Sequence, residues 1–152
     1  MPDISIRPAG APELGRAASM RGAMAREMGS DWDLRHPGWE ARFAEFWRDK
    51  QAAGAAQCFF AECAGAVAGM VLVSIADEYR GAAFGEPRGY VNGMYVVPEM
   101  RRQGVGRALM LAAIEWARRR NCVNVRLRAS DDGRPLYASL GFKTGTEMEL
   151  SL

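Results

Sequence analysis

Two glycines at the start of a predicted helix are the residues of this chain whose spacing points most directly to chemistry. Gly104 and Gly106 lie just after a predicted strand that ends at Pro98. Three arginines surround the pair, namely Arg101, Arg102 and Arg107. The first turn of a helix exposes unpaired N–H groups and carries partial positive charge, and glycine lets a phosphate approach the backbone closely. The segment therefore predicts a site for a diphosphate or polyphosphate.

The familiar phosphate-binding loops do not match this segment. No Gly-Lys-Ser/Thr run follows the glycines, which excludes a Walker loop. Leu109 stands where the dinucleotide-binding fingerprint would have its third glycine. From the residues alone, the remaining alternatives are a diphosphate site at a strand–helix junction and an ordinary helix start with surface arginines.

The net charge of +2 conceals a local excess of arginine. Every basic residue except Lys50 and Lys143 is an arginine, and residues 101–128 contain eight of them against one acid, Glu115. Such an excess suggests an anionic partner. Nucleic acid is not the expected partner, because no nucleic-acid-binding motif is present and aromatic residues do not alternate with the arginines. We expect Arg118–Arg120 to complement the dipole at the helix C-terminus instead.

The composition bounds the class of protein. A chain of 152 residues with 49% hydrophobic and 25% charged residues predicts one globular domain over residues 1–152. No apolar run approaches the roughly 18 residues of a membrane span, and no signal peptide is visible, so we expect a cytoplasmic protein without a membrane partner. Cys58, Cys63 and Cys122 form no metal-binding pattern with the single His36, so we expect free thiols and no metal.

Hydrophobic periodicity predicts the elements that must position the glycines. Strands are predicted near residues 4–6, at 57–63, 67–76, 90–97 and 122–128, from Phe142 onward, and over 148–152. Helices are predicted at 14–28, 39–53, 104–120 and 134–140, with loops at 29–38 and 80–89. The strand–helix–strand unit at the centre should be parallel and right-handed. The predicted class is α/β (α+β), a single domain with a mixed, mainly antiparallel sheet around that unit.

Three motifs in order resemble those of the GNAT N-acetyltransferase family. The run RRQGVG at 101–106 resembles the R/Q-x-x-G-x-G/A signature of that family. The run YVVP at 95–98 resembles its acetyl-CoA strand, and LYASLGF at 136–142 resembles its LYxxxGF motif. The order of elements over residues 4–152 agrees as well, so the resemblance covers nearly the whole chain.

The resemblance implies a site for acetyl-CoA as acyl donor. It implies that backbone amides of residues 102–107 hold the CoA pyrophosphate, that the strand at 94–97 pairs with the pantetheine amides, and that the strand at 122–128 splays away. A backbone N–H near Val96 would polarise the acetyl carbonyl, and Tyr137 would protonate the departing thiolate. The expected cofactor-binding residues are Tyr95, Val96, Val97, Arg101, Arg102, Gln103, Gly104, Val105, Gly106, Arg107, Ser130 and Tyr137. Ser130 stands where many members have an asparagine.

The sequence does not identify a single general base. The family often has a glutamate where this chain has Asn92 and Gly93. The candidates are Glu62, Asp77, Glu78 or no protein base at all. We expect the acceptor pocket to be built from the loop at 28–37, the second helix and residues 77–90, with acids that attract an ammonium group and an aromatic wall. The acids are Asp31, Asp33 and Glu78, and the wall is Trp32 and Tyr79.

The predicted function is acetyl-CoA-dependent N-acetylation. The acceptor would be a primary amine on a small molecule, a peptide N-terminus or a lysine, and it would attack directly, without a covalent enzyme intermediate. The alternative is a non-catalytic acyl-CoA-binding sensor, which the absence of a glutamate at Asn92 favours. Dimers are common in families that resemble this one, so a homodimer is a further expectation.

Overall fold

A mixed five-stranded sheet forms the centre of the molecule in a computed structural model that describes residues 2–152. The strands lie in chain order, β1 to β5, across the sheet. Their bounds are Ile4–Pro8, Ala56–Cys63, Ala66–Ile75, Gly89–Val96 and Val125–Leu127. The first four strands pair antiparallel, and β4 pairs parallel with β5. The predicted mixed sheet with one parallel unit is therefore confirmed.

Six α-helices cover the two faces of the sheet. They are α1 (Leu14–Glu27), α2 (Trp32–Arg35), α3 (Trp39–Ala52), α4 (Tyr79–Phe84), α5 (Val105–Arg119) and α6 (Arg134–Ser139). Short 3-10 turns occupy Ala11–Glu13 and Pro98–Met100. The loops predicted at 29–38 and 80–89 each contain a helix, α2 and α4, of four and six residues. Elements of one turn or little more are too short to show a helical period in sequence.

The core has one layer on each face of the sheet. On one face, Leu109 and Met110 of α5 pack on Val71 and Val73 of β3, and all four are completely or almost completely buried. On the other face, α1 and α3 pack over β2 and β3 around a second apolar layer. The buried side chains of that layer include Leu14, Phe60, Met70 and Leu72. The alternation of side chains along β3 explains both layers, since successive residues of a strand point to opposite faces.

The C-terminal strands predicted from Phe142 onward and over 148–152 are wrong. The structure has no strand after Leu127 among the residues it describes. Met148, Leu150 and Leu152 alternate with polar residues, yet their side chains are almost fully exposed. Alternation favours a strand only where a neighbouring strand and a buried face exist, and residues 143–152 have neither. The strand predicted at 122–128 is also shorter, because only Val125–Leu127 pair with β4.

Two irregularities of β4 position the site. Residues 89–91 pair with β5, but β4 continues to Val96 without a neighbour on that side. In addition, the register between β3 and β4 shifts at Asn92, which is left without a partner as a bulge. The two parallel strands β4 and β5 therefore separate just beyond the bulge, as the family resemblance implies for the strand after α5. No helix among residues 2–152 is long and apolar enough to cross a membrane.

Candidate active site

A cleft of about 1080 Å³ opens where β4 and β5 separate. Its walls come from α1, β4, the N-terminus of α5, β5 and α6. The N–H of Val97 donates to Ala68 O on β3 at 2.9 Å, so the backbone groups of this residue point away from the cleft. Because backbone groups alternate along a strand, those of Val96 and Met94 point into the cleft. The unpaired edge of β4 thus offers N–H and C=O groups to an extended ligand.

The N-terminus of α5 opens on the same cleft. Gly104 precedes the helix in the left-handed region, with φ 88°, which favours glycine. Arg102 also has a positive φ of 62° in the turn before it. No side chain among residues 2–152 caps the first turn, and the first N–H bonded back to the turn is that of Ala108, to Gly104 O. The amides of Val105, Gly106 and Arg107 are therefore free to bind an anion.

Gly106 is required by packing as well as by ligand approach. A Cβ built on this residue would lie 3.2 Å from Leu136 Cδ2 and 3.5 Å from Met94 Cε. The glycine therefore allows α6 and β4 to approach the first turn of α5. Its role differs from that of Gly104, whose surroundings are open but whose backbone conformation is strained for other residues.

Arg101 is held in a network with α1 rather than lying free. Its Nε donates to Val96 O at 2.9 Å, and its Nη2 donates to Glu27 Oε2 at 2.6 Å. The Tyr95 hydroxyl donates to the other oxygen of Glu27, also at 2.6 Å. The hydrogen bonds from Tyr95 and Arg101 hold the pKa of Glu27 below its ordinary value of 4.5. This network joins the C-terminal end of α1 to the turn before α5.

Tyr137 lies in the cleft on α6, 9% exposed, with its ring edge-on to Phe142. Burial raises the pKa of its phenol above the ordinary value of 10.0, so the hydroxyl is protonated at neutral pH. A Cβ at Gly133 would lie 2.8 Å from Tyr137 Cε2, so this glycine permits the ring position. Ser130 Oγ accepts the N–H of Gly133 at 3.1 Å, and the serine hydroxyl can still donate toward the cleft.

Ten of the twelve predicted cofactor-binding residues line the cleft. These are Tyr95, Val96, Arg101, Arg102, Gly104, Val105, Gly106, Arg107, Ser130 and Tyr137. Val97 and Gln103 do not line it. Val97 is bonded through its amide to β3, and Gln103 Nε2 donates to Glu99 O within its own turn.

The carboxylates considered as general bases lie outside the cleft. Glu62 forms an ion pair with Arg7 at 2.7 Å, where β2 pairs with β1 toward the opposite edge of the sheet from the cleft. Glu78 is paired with Arg126, whose hydrogen bond holds the pKa of Glu78 below its ordinary value. Asp77 is exposed after β3. None of these groups lines the cleft, so none is in position to take a proton directly from a molecule bound there.

The acceptor residues predicted from composition are also absent from the cleft lining. Asp33 is buried and paired with Arg26 at 3.0 Å, and Asp31 is paired with Arg35 at 3.2 Å. Trp32 and Tyr79 do not line the cleft either. The acids expected to attract an ammonium group are therefore paired with arginines and do not line the cleft.

Sixteen of the residues that line the cleft were not among the predicted site residues. Four of these carry the arguments below, namely Arg21, Met24, Glu27 and Asn92. Asn92 Nδ2 donates to Ser74 Oγ at 2.8 Å and to Tyr90 O at 3.1 Å, which leaves its carbonyl oxygen as an acceptor. The three α1 residues are spaced three apart and share one side of the helix. The same spacing in sequence is also typical of a core stripe, so periodicity alone assigns them to the core.

The fold and the open edge of β4 define a structural class shared with known acetyltransferases. The chain superimposes on a GCN5-related N-acetyltransferase from Ralstonia eutropha with a TM-score of 0.85, 28% identity and 99% coverage of both chains. A predicted acetyltransferase from Clostridium acetobutylicum, solved with acetyl-CoA, gives a TM-score of 0.83 at 22% identity, over 98% of this chain and 96% of that one. The second similarity shows the shared fold.

The sequence pattern of the acetyltransferase (GNAT) family matches residues 24–142, so the chain belongs to that family. The resemblance found in the three motifs is thereby confirmed. An aminoglycoside N(6')-acetyltransferase type 1 from Klebsiella aerogenes is 39% identical over 83 residues. That match covers 55% of this chain and 54% of the relative, so the chain matches only about half of the relative's length.

Proposed function

We propose that this protein is an acetyl-CoA-dependent N-acetyltransferase that acetylates a primary amine by direct transfer. The observation that carries the proposal is the continuous cleft along the unpaired edge of β4. It begins at the free amides of α5 and includes Tyr137 and the bulge at Asn92. Membership of the acetyltransferase family and the fold shared with an acetyl-CoA-bound protein support the same activity.

The residues present fit the parts of acetyl-CoA. The free amides of Val105, Gly106 and Arg107 suit a pyrophosphate, and the Arg102 and Arg107 side chains have no carboxylate partner among residues 2–152. The cleft-facing C=O of Met94 and N–H of Val96 suit the amides of pantetheine. Ser130 offers a further hydroxyl from the opposite wall.

Bound acetyl-CoA supplies a thioester whose acetyl group passes from sulfur to the amine nitrogen. We expect a cleft-facing N–H of β4 near Val96, that of Met94, to donate to the acetyl oxygen and to stabilise negative charge there. Tyr137 keeps its proton at neutral pH and donates it to the departing sulfur. The nitrogen loses one proton to solvent as the amide forms, and solvent returns a proton to the Tyr137 phenolate. We expect the carbonyl oxygen of Asn92 to accept a hydrogen bond from the entering amine. Because none of Glu62, Asp77 and Glu78 lines the cleft, we expect the amine to enter already deprotonated.

We propose a primary amine as the acceptor. A small-molecule amine, a peptide N-terminus or a lysine would each present the same nucleophile. The name of the Klebsiella aerogenes relative supports a small molecule, but that similarity covers about half of each chain. We also propose that the protein is cytoplasmic and forms a homodimer.

Acetyl transfer to a panel of amines, followed by detection of the free CoA thiol, tests the activity. The panel contains aminoglycosides, polyamines, amino acids and peptides, and the acetylated product is identified by mass. Arg107→Gln should raise the KM for acetyl-CoA about tenfold, because it removes one charge-assisted contact worth about 1.5–3 kcal/mol. Arg118→Gln, at the exposed end of the same helix, is the matched control and should leave this KM unchanged.

A non-catalytic acyl-CoA sensor is the second candidate. It is favoured by one observation, that none of Glu62, Asp77 and Glu78 lines the cleft as a base. Tight acetyl-CoA binding without transfer to any amine, at any pH up to 9.5 or so, would favour the sensor. An enzyme that takes up neutral amines should instead turn over faster as the pH approaches the pKa of its acceptor.

A further inference from the structure

Arg21 on α1 differs from every other arginine of residues 2–152. The remaining seventeen are either exposed or hydrogen-bonded or ion-paired to another residue. Arg21 is partly buried, and no hydrogen bond or ion pair to it is formed within the described residues. Burial lowers the pKa of its guanidinium below the ordinary value, but arginine keeps its charge in proteins. A partly desolvated cation without an anion costs free energy, so its position needs a reason.

The surroundings of Arg21 place it on the wall of the cleft beside the bulge of β4. A Cβ built on Gly93 would lie 3.7 Å from Arg21 Cδ, so the absence of a side chain at Gly93 gives the arginine its room. The Arg21 guanidinium carbon lies 5.2 Å from the centre of the Trp32 ring. This cation–π contact supports the guanidinium from one side and leaves its N–H groups available.

Arg21 is distant from the end of the cleft that suits phosphate. Six residues separate it from Glu27, which contacts Arg101 in the turn before α5. At 1.5 Å per residue, that separation is about 9 Å along the helix. Along β4, Gly93 likewise precedes Val96, which accepts from Arg101, by about 10 Å. Arg21 therefore faces the part of the cleft that holds the bulge and Asn92.

The acids closest to Arg21 in the chain do not neutralise it. Glu13 is paired with Arg7. Asp31, just before α2, and Asp33, within it, are paired with Arg35 and Arg26. Glu27 is occupied by Arg101 and Tyr95. An anion that pairs with Arg21 must therefore come from outside the described chain.

We infer that Arg21 binds a carboxylate of the acceptor, so that the amine to be acetylated belongs to an amino acid or a short peptide. This inference rests on the proposed function and narrows its substrate class. A planar guanidinium with free N–H groups binds a carboxylate in two parallel hydrogen bonds, which fixes the orientation of the ligand. With the carboxylate at Arg21, the amine of the same molecule is directed toward Asn92. A polycationic acceptor would instead meet an uncompensated positive charge.

Matched pairs of acceptors test the inference. Amino acids, ω-amino acids and dipeptides are each compared with their C-terminal carboxamides, and kcat/KM is measured at saturating acetyl-CoA. In the dipeptide pairs the amine is a peptide bond away from the altered group, so its nucleophilicity changes little. The carboxylate form of the best pair should be at least about tenfold better, as expected for a charge-assisted hydrogen bond.

Variants of α1 then assign the preference. Arg21→Gln should reduce the carboxylate-to-carboxamide ratio to about one and leave the KM for acetyl-CoA unchanged, whereas Arg21→Lys should keep part of the preference. Arg16→Gln, at an exposed position of the same helix, is the control and should behave as the wild type. Thermal unfolding of each variant separates loss of recognition from loss of fold. A ratio that Arg21→Gln leaves intact, or a preference for carboxamides or aminoglycosides, would overturn the inference.

A binding measurement keeps this inference separate from the proposed activity. The N-acetylated forms of the same amino acids and dipeptides are titrated by calorimetry into the CoA-loaded protein. Binding that requires both the carboxylate and Arg21 supports the inference even if no amine is acetylated, in which case only the proposed activity fails. Equal binding of the carboxamides, or no binding of the carboxylates, contradicts it.

Discussion

Replacing Tyr137 with phenylalanine removes one hydroxyl and little else. The ring would keep its edge-on contact with Phe142, whose centroid lies 5.9 Å away, and its place beside Gly133. The hydroxyl makes no hydrogen bond to another residue between positions 2 and 152, and burial raises the pKa of the phenol. No buried partner is therefore left unsatisfied. We expect the free energy of unfolding to change by no more than about 0.5 kcal/mol.

The kinetic effect should be much larger. A positioned general acid contributes about 10²- to 10⁴-fold to a rate, which corresponds to about 3–5 kcal/mol of activation free energy. Water that enters the cleft can replace part of this contribution. We therefore expect Tyr137→Phe to lower kcat at least about a hundredfold and to leave the affinity for acetyl-CoA within about twofold. The difference arises because the hydroxyl acts on the departing sulfur and not on the bound ground state.

Three measurements decide the matter. Thiol release gives kcat, calorimetry gives the affinity for acetyl-CoA, and denaturant unfolding gives the stability of each variant. Tyr79→Phe is the matched control, since Tyr79 is 65% exposed and lies outside the cleft. In the wild type, kcat should also fall above pH 10 as Tyr137 loses its proton, and the variant should lack this alkaline limb. A kcat within threefold of the wild type would show that another group protonates the sulfur.

Three further predictions concern packing, pH and the thiols. Gly69→Ala should destabilise the fold by about 2–3 kcal/mol in denaturant unfolding, because its Cβ would lie 2.5 Å from a backbone oxygen of β4, whereas Gly145→Ala, with open space, should be neutral. The pKa of Glu27 is lowered on folding, so the stability that it contributes is present above its unfolded pKa and disappears as the pH falls through the lower folded pKa. Glu27→Gln should therefore lose less than about 1 kcal/mol at pH 7 and nothing at pH 2, as urea unfolding can show. Burial raises the pKa of Cys58 to about 12, so iodoacetamide at pH 8 should modify the partly exposed Cys122 first, as peptide mass analysis would show, and alkylation there should not stop transfer.

The sequence predicts the long elements of the fold and the phosphate end of the cleft well. The helices α1, α3 and α5 span fourteen or fifteen residues, long enough for a 3.6-residue period to be visible. The glycines at 104 and 106 are informative because few other residues meet their backbone and packing demands. Short helices and the C-terminal segment have no such signature. The alternation over 148–152 is compatible with a strand, but pairing requires a neighbour that the segment does not have.

The acceptor end could not be predicted from residue types, because charge there depends on pairing. Asp31, Asp33 and Glu78 are acids in the right region of the sequence, yet each is neutralised by an arginine. The partner of Glu78 lies 48 residues away, on β5, and no local pattern indicates it. Arg21 is the opposite case, a charged residue that folding leaves without a partner. The sequence cannot indicate this, because it depends on which residues surround Arg21 in the fold.

The same reasoning separates the arginines of residues 101–128 by function. Arg118 and Arg119 are paired with Glu115, and Arg120 lies 4.0 Å above the Trp116 ring. Of the cleft-lining arginines in this segment, Arg101 is paired with Glu27 and Arg128 with Glu149. Arg102 and Arg107 remain without a carboxylate partner among residues 2–152, and both line the cleft beside the free amides of α5. A charge left unpaired at a concave surface is available to a ligand, whereas a paired charge contributes little there. By this criterion we propose that Arg102 and Arg107 bind the donor and that Arg21 binds the acceptor, so that each end of the cleft offers an unpaired cation to an anionic substrate.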